Sequence, residues 1–175
     1  MSNRISRISS SCFFHLRRLH QLHDVVCCST TQRLVSAVVL PRLDYCNAML
    51  AGSPSTTLNP LRRILSASVR RIADIGPRDH VTEQMMERCW LPISYRIKFM
   101  FCLTMHSAVT GQCPQTIRDI VHSLSTLPGR NTLPAAASDQ FHISVTETVF
   151  GERALSVAGQ CDWKTLPKNI THITN

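Results

Sequence analysis

The stretch STTLNPLRRILSASVRRIADIGP, residues 55–77, decides how this chain folds. Its apolar residues recur at steps of three and four, which is the period of one face of an α-helix. They are Leu58, Leu61, Leu65, Val69 and Ile72. Four arginines fall on the opposite half of the same helix: Arg62, Arg63, Arg70 and Arg71. The spacing predicts an amphipathic helix that starts near Ser55 or Thr56 and is stopped by Gly76-Pro77.

Two more helices are predicted on the amino-terminal side. An apolar stripe from Ile5 to Leu19 indicates a helix over about residues 4–22, with Arg4, Arg7, Arg17 and Arg18 on its other side. Thr30 or Thr31 can cap a second helix that runs into Pro41. Because proline lacks an amide donor and clashes with the preceding turn, a kink is expected there before the helix ends at Gly52.

On the carboxyl-terminal side, three helical segments follow. Thr82 is predicted to cap a short helix to Arg88, and Ile93 to Val109 is long and largely apolar. Pro114 suits the first turn of another short helix that ends near Leu124. Between them, Trp90 is expected to anchor a turn by packing, as is Trp163 further along the chain.

The amino-acid composition of the chain changes after residue 124. Residues 127–138 are rich in Pro, Ala, Ser and Thr, which is typical of a loop, whereas 141–149 alternates with β-branched residues and favours a short strand. Residues 151–160 read as a short helix. We therefore predict a mostly α fold, an irregular bundle of about five to seven helices with a small β or irregular element near the carboxyl terminus. The predicted domains are a helical one over 1–124, a linker over 125–140 and a small α/β extension over 141–175.

Composition narrows the possible functions. The 175 residues include 19 Lys and Arg against 11 Asp and Glu, which gives a net charge of +8, and 43% of the residues are hydrophobic. That apolar fraction supports a folded chain, and the charge favours a polyanionic partner such as nucleic acid. The amphipathic helix within residues 55–77 supplies the first candidate phosphate contacts, which are Arg62, Arg63, Arg70 and Arg71. Arg17 and Arg18 form a second patch. The alternative is a solvated helix face.

The eight cysteines bear on the compartment and on metal binding. The first 25 residues have no apolar core of a signal peptide, and no apolar run is long enough to span a bilayer. We expect an intracellular protein, nuclear or cytoplasmic and not secreted, with free thiols. His15, His20, His23, Cys27 and Cys28 form a Cys/His cluster whose spacing matches no zinc motif, so no metal site is predicted.

Seven blocks of the sequence occur in the same order as similar motifs of a known protein family. The densest is PRLDYCNAMLAG at 41–52, and the others lie at 58–72, 79–82, 89–99, 111–114, 150–158 and 163–167. Together they resemble the region that follows the palm in reverse transcriptases of jockey-type and chicken-repeat-type non-LTR retrotransposons. The block at 41–52 is similar to the family's "SRLDYCNSLLAGLP", and 150–158 is similar to "FG.RAFSVAAP". The resemblance covers about residues 3–170.

What the resemblance implies is a thumb-like segment that grips an RNA or DNA template–primer. The fingers and palm of that family lie upstream, and its final basic helix lies beyond the last block, so both are expected to be missing here. The palm's metal-binding carboxylates include an Asp-Asp pair, and this sequence contains no two adjacent aspartates. No activated cysteine nucleophile, phosphate loop or dinucleotide fingerprint is present either. We therefore predict no catalytic residues, no cofactor and no enzymatic activity.

Three residues of the densest block have a structural interpretation. Asp44 can pair with Arg42 or cap a kinked segment, and Tyr45 can donate a buried hydrogen bond; Asn47 belongs to the same block. The function that follows from the whole sequence is non-specific template–primer binding by a polymerase fragment whose other partner is the missing palm. The alternatives are a helical protein-interaction module and a non-functional translated pseudogene fragment. The sequence predicts no membrane partner and leaves the oligomeric state open.

Overall fold

A computed structural model describes residues 2–22, 25–45, 50–121, 148, 154–167 and 170. Throughout these ranges the chain is mostly α-helical and contains no strand, which confirms the predicted fold class. The helices are α1 (Ser2–Gln21), α2 (Cys28–Val38), α3 (Leu40–Asp44), α4 (Ser55–Ala73), α5 (Thr82–Glu87), α6 (Ile93–Val109), α7 (Gln115–Ile120) and α8 (Gln160–Lys164), with a π-helical segment at Leu155–Gly159. The predicted linker over 125–140 lies outside the described residues, as does nearly all of the predicted strand over 141–149.

The chain divides into two compact units. Unit 1 comprises Met1–Asn47 and Ser53–Arg96, and unit 2 comprises Ala48–Gly52 and Ile97–Asn175. The division falls inside α6. The predicted domain boundary after residue 124 lies among residues that the structure does not describe, so it stays a prediction.

Helix α4 forms the core of unit 1. The predicted stripe is buried, and Ile64 and Ser68 are buried with it. α4 packs against α1, α2 and α5, and Ile5, Cys12 and Leu16 are the buried residues that α1 contributes. Each fully buried aliphatic side chain contributes about 1.5–3 kcal/mol, so this stripe is the main source of stability in unit 1.

The second predicted helix is broken in the structure. It starts at Cys28, so Thr30 and Thr31 lie inside α2 and do not cap it, and it is interrupted at Val39. Pro41 then sits in the first turn of α3, where its missing amide hydrogen costs nothing. The expected kink at Pro41 is therefore a change from one helix to the next.

The end of α4 differs from the prediction as well. The helix stops at Ala73, before Gly76, because Asp74 adopts a left-handed conformation with φ 51°. The amides of Asp74 and Ile75 both donate to the carbonyl of Arg70. The bond from Ile75 is the 6→1 bond of a Schellman ending, and the bond from Asp74 is the 5→1 bond of the αL motif. Asp tolerates this conformation better than most residues, so a glycine was the wrong signal to look for.

Helix α5 begins at Thr82, but Thr82 is not its cap. Val81 flanks the helix with αR geometry, and no side chain caps the first turn. α6 has the predicted bounds. Trp90, between the two helices, is buried as a packing anchor.

Unit 2 is organised around Met105, Val121 and Trp163, which form one buried cluster. Cys102, Ala108, Ile117 and Leu166 pack against it. The helix predicted over 151–160 is a π-helical segment followed by α8 in the part of the chain that is described. Gly159 joins the two, and a Cβ atom there would lie 2.9 Å from Leu155 Cδ1 and 3.3 Å from Met105 Sδ, so the backbone approaches its neighbours closely.

Candidate nucleic-acid interface

The two most basic helices of unit 1 lie side by side. α1 and α4 pack against each other, and each carries four arginines and no acidic residue. In α1 all four are exposed: Arg4, Arg7, Arg17 and Arg18. The pair of helices is therefore a continuous source of positive potential, with no carboxylate of its own to offset it.

Arg62 and Arg63 are the exposed arginines of α4. Among the residues that the structure describes, these two arginines make one hydrogen bond, from Arg62 Nη1 to Asn59 Oδ1 at a long 3.5 Å. Since both guanidinium groups face solvent, they keep most of their donors for an external oxyanion.

Arg70 has a structural role. Its Nε donates to the Gly76 carbonyl at 3.2 Å and its Nη2 to the Asp79 carbonyl at 3.3 Å. The Gly76 amide in turn donates to Asp79 Oδ2 at 2.7 Å. Arg70 thus fixes the turn after α4, a contact that local periodicity gave no means of finding.

Arg71 connects the ends of the two basic helices. Its Nη1 lies 2.7 Å from His20 Nδ1. This contact brings the last turns of α1 and α4 together, so the predicted patch at Arg17 and Arg18 lies at the same end of unit 1 as Arg70 and Arg71. The sequence showed two separate patches, and the fold places them on two helices that pack against each other.

An exposed aromatic ring accompanies the α1 patch. Phe14 is 54% exposed, and the Arg18 guanidinium lies 5.7 Å from its ring centroid. Proteins that bind single-stranded nucleic acid combine basic side chains, which contact the backbone, with exposed aromatic side chains, on which the bases stack. The sequence predicted that Arg18 belongs to the patch, but it did not predict the exposed Phe14 beside it. Trp90 and Trp163, by contrast, are buried, which confirms that they pack in the interior.

Asp44 pairs with Arg96, and its predicted pairing with Arg42 stays a prediction. It accepts two hydrogen bonds from Arg96, at 2.9 Å from Nε to Oδ1 and 2.5 Å from Nη2 to Oδ2. Arg42 donates to the carbonyl of Val38. Tyr45 is 75% exposed beneath the Arg4 guanidinium, so the expected burial of its hydroxyl group is wrong. Asn47 lies outside the described residues.

The Cys/His cluster is only partly described. His20, Cys27 and Cys28 are exposed and His15 is half-buried, while His23 lies outside the described residues. Within the described part of the chain, no three His, Cys, Asp or Glu side chains come together as metal ligands. The seven cysteines that are described carry free thiols.

The thiols differ in acidity. Burial raises the pKa of Cys12 and of Cys102. The fully exposed Cys27 has the opposite shift: hydrogen bonds from the side chains of Ser29 and Thr30, each at 3.2 Å, lower its pKa to about 7. Cys27 flanks the first turn of α2, where the helix dipole also favours an anion.

We expect Cys27 to be alkylated readily at neutral pH. The rate with iodoacetamide, followed by mass spectrometry of the Cys27 peptide, should rise with a midpoint at about pH 7. In the double variant Ser29→Ala, Thr30→Val the midpoint should move toward about 8.5, the ordinary value for cysteine. The rate at pH 7 should then fall about threefold, since a more basic thiolate is scarcer but more nucleophilic. An unchanged midpoint in the variant would show that the two hydroxyl groups do not control this thiol.

No protein-family model, no curated protein and no solved structure matches the chain. None of the helices within the described ranges is long and apolar enough to cross a bilayer.

Proposed function

We propose that the chain binds the phosphate backbone of nucleic acid, without sequence specificity, through the arginine surface of α1 and α4. The observation that carries the proposal is the packing of two helices that each hold four arginines and no acidic residue. Arg62 and Arg63 on α4, and Arg17 and Arg18 on α1, are the members of the predicted set that face solvent. Guanidinium groups suit phosphate oxygens, and neutralising phosphates releases counterions.

The proposal includes an origin for this surface. The resemblance to the post-palm region of non-LTR retrotransposon reverse transcriptases implies that the natural ligand is an RNA or DNA template–primer, gripped next to a palm domain. On this proposal the chain makes no DNA by itself, because its sequence contains no adjacent pair of aspartates for the polymerase metals. Any primer extension by the purified chain would overturn that part.

Fluorescence anisotropy with a labelled RNA–DNA hybrid tests the binding. The observed association constant should fall steeply with salt, and Arg62→Gln, Arg63→Gln should weaken binding at low salt by about tenfold. Since each lost phosphate contact removes about 0.9 from the log–log salt slope of a duplex, the double variant should flatten that slope by about 2.

A charge-matched control separates a site from general basicity. Arg33 and Arg78 are exposed arginines on other segments of unit 1, and Arg33→Gln, Arg78→Gln removes the same net charge. Its affinity should stay within about twofold of the wild-type chain, because screening limits distant exposed charges. No binding at low salt, or an equal loss in the control, would rule out the proposed surface.

A second candidate function has one observation in its favour. Phe99 and Leu103 lie one turn apart on α6 of unit 2 and are 53% and 46% exposed. Large exposed apolar side chains on one helix face are typical of protein-interaction surfaces. Concentration-dependent self-association in sedimentation experiments, with no binding to the hybrid, would favour this helical interaction module.

A further inference from the structure

A cavity of about 230 Å³ lies in unit 1 where α4 ends. The first residues of α2, the last turn of α4 and the end of α5 enclose it. Its lining consists of Val26, Cys28, Thr31, Arg71, Ile72, Ala73, Asp74, Gln84 and Arg88. The volume far exceeds what one water molecule needs, so the space admits a polyatomic ion.

Arg71 contributes unpaired donors to this lining. Its Nη1 contacts His20, but its Nε and Nη2 are buried and have no hydrogen-bond partner among the described residues. These two nitrogens form one edge of the guanidinium fork, which is the edge that bidentate binding of an oxyanion uses.

Arg88 presents a similar arrangement from α5. Its Nη1 donates to the Gln84 carbonyl at 3.0 Å and to Gln84 Oε1 at 2.6 Å, which orients the group. Within the described part of the chain its Nε is buried without a partner, and the side chain is only 14% exposed. Glu87 reaches Arg88 Nη1 at 3.5 Å but is largely in solvent, so it does not compete for the buried Nε.

Leaving such donors unpaired costs free energy, so the lining favours a ligand that supplies acceptor oxygens. A buried donor without a partner costs about 1–3 kcal/mol, and more when the group is charged. The lining includes two arginines, Arg71 and Arg88, and one aspartate, Asp74, so the formal charges sum to +1. A monoanion with several acceptor oxygens would satisfy the three buried nitrogens and balance that charge.

We propose that this cavity binds a single phosphate group, held by the buried edges of Arg71 and Arg88. The site is separate from the exposed surface at Arg62 and Arg63. The phosphate group can come from free inorganic phosphate, or it can be a phosphodiester of a nucleic-acid strand. In the second case the site adds an anchored contact to the proposed interface and rests on that function.

Thermal unfolding of the whole chain distinguishes these sources. Inorganic phosphate, at constant ionic strength with chloride as the reference, should raise Tm by about 3–6 °C at ten times its Kd. Arg71→Gln and Arg88→Gln should each reduce the rise to below about 1 °C. Arg33→Gln changes an exposed arginine outside both the cavity lining and the proposed surface. It should keep the rise, and so removes the general effect of phosphate on protein stability from the comparison. The melting curves also show directly whether each variant is folded.

A short oligothymidylate without terminal phosphates is the second probe. If it raises Tm while inorganic phosphate does not, and Arg88→Gln removes the rise but Arg33→Gln keeps it, the cavity takes a backbone phosphodiester. If inorganic phosphate alone acts, and Arg62→Gln, Arg63→Gln retains the rise, the cavity holds free phosphate even where hybrid binding fails. The proposal is overturned if neither probe raises Tm. It is also overturned if Tm rises as much in Arg71→Gln and Arg88→Gln as in the wild-type chain.

Discussion

Replacing Trp163 with alanine is expected to lower the free energy of unfolding by about 3–5 kcal/mol. Trp163 is 4% exposed and packs with Met105 and Val121, and its ring centroid lies 6.3 Å from that of His106. Removing the indole leaves a cavity in the buried cluster of Met105, Val121 and Trp163. Urea unfolding followed by circular dichroism measures the change.

Trp163→Phe is the matched control. It keeps an aromatic ring in the cluster, so it should cost well under half as much as the alanine variant. If the free energy of unfolding of Trp163→Ala lies within about 1 kcal/mol of the wild-type value, Trp163 is not the anchor of unit 2.

Breaking the Asp44–Arg96 ion pair is expected to have the second-largest effect. Asp44→Ala should lower the free energy of unfolding by about 2–3 kcal/mol, because it leaves a guanidinium with 16% exposure without its bidentate partner. Asp44 itself is 31% exposed, so solvent screening keeps the loss below that of a fully buried pair. A double-mutant cycle with Arg96→Ala should give a coupling energy of at least about 1 kcal/mol.

A second ion pair supplies the reference for that measurement. Arg88 and Glu87 are 3.5 Å apart, but the Glu87 side chain is 57% exposed. Glu87→Ala should therefore change stability by no more than about 0.5 kcal/mol. Equal effects of the two acid-to-alanine changes would mean that the geometry of the Asp44–Arg96 pair contributes nothing.

The helices that were easiest to predict are those with the strongest periodicity. α4 and α6 have nearly the expected bounds because a three- and four-residue apolar pattern fixes which face is buried, whatever the neighbours are. The ends were harder. At Asp74 the backbone takes a left-handed turn that the sequence signals only weakly, and at Cys28 the helix starts without a capping side chain.

The candidate site shows the same division. That Arg62 and Arg63 are exposed follows from the helical period alone. The contact of Arg71 with His20 joins residues 51 positions apart, and that of Arg96 with Asp44 joins residues 52 apart. Local pattern carries no information about such pairs, since they depend on which helices become neighbours. The resemblance placed Asp44 and Arg96 in separate motif blocks without indicating that the two blocks meet.

The close backbone approach at Gly159 has a consequence for lineages of this sequence. Its backbone is ordinary helix, with φ −63° and ψ −43°, so glycine is favoured there by space and not by conformational freedom. Even alanine would press against Leu155 and Met105. If selection maintains the folded product, related sequences should retain glycine at this position or change Leu155 and Met105 together with it, whereas sequences that drift neutrally should do neither. Position 159 is therefore a sensitive place to distinguish a maintained gene from a decaying one.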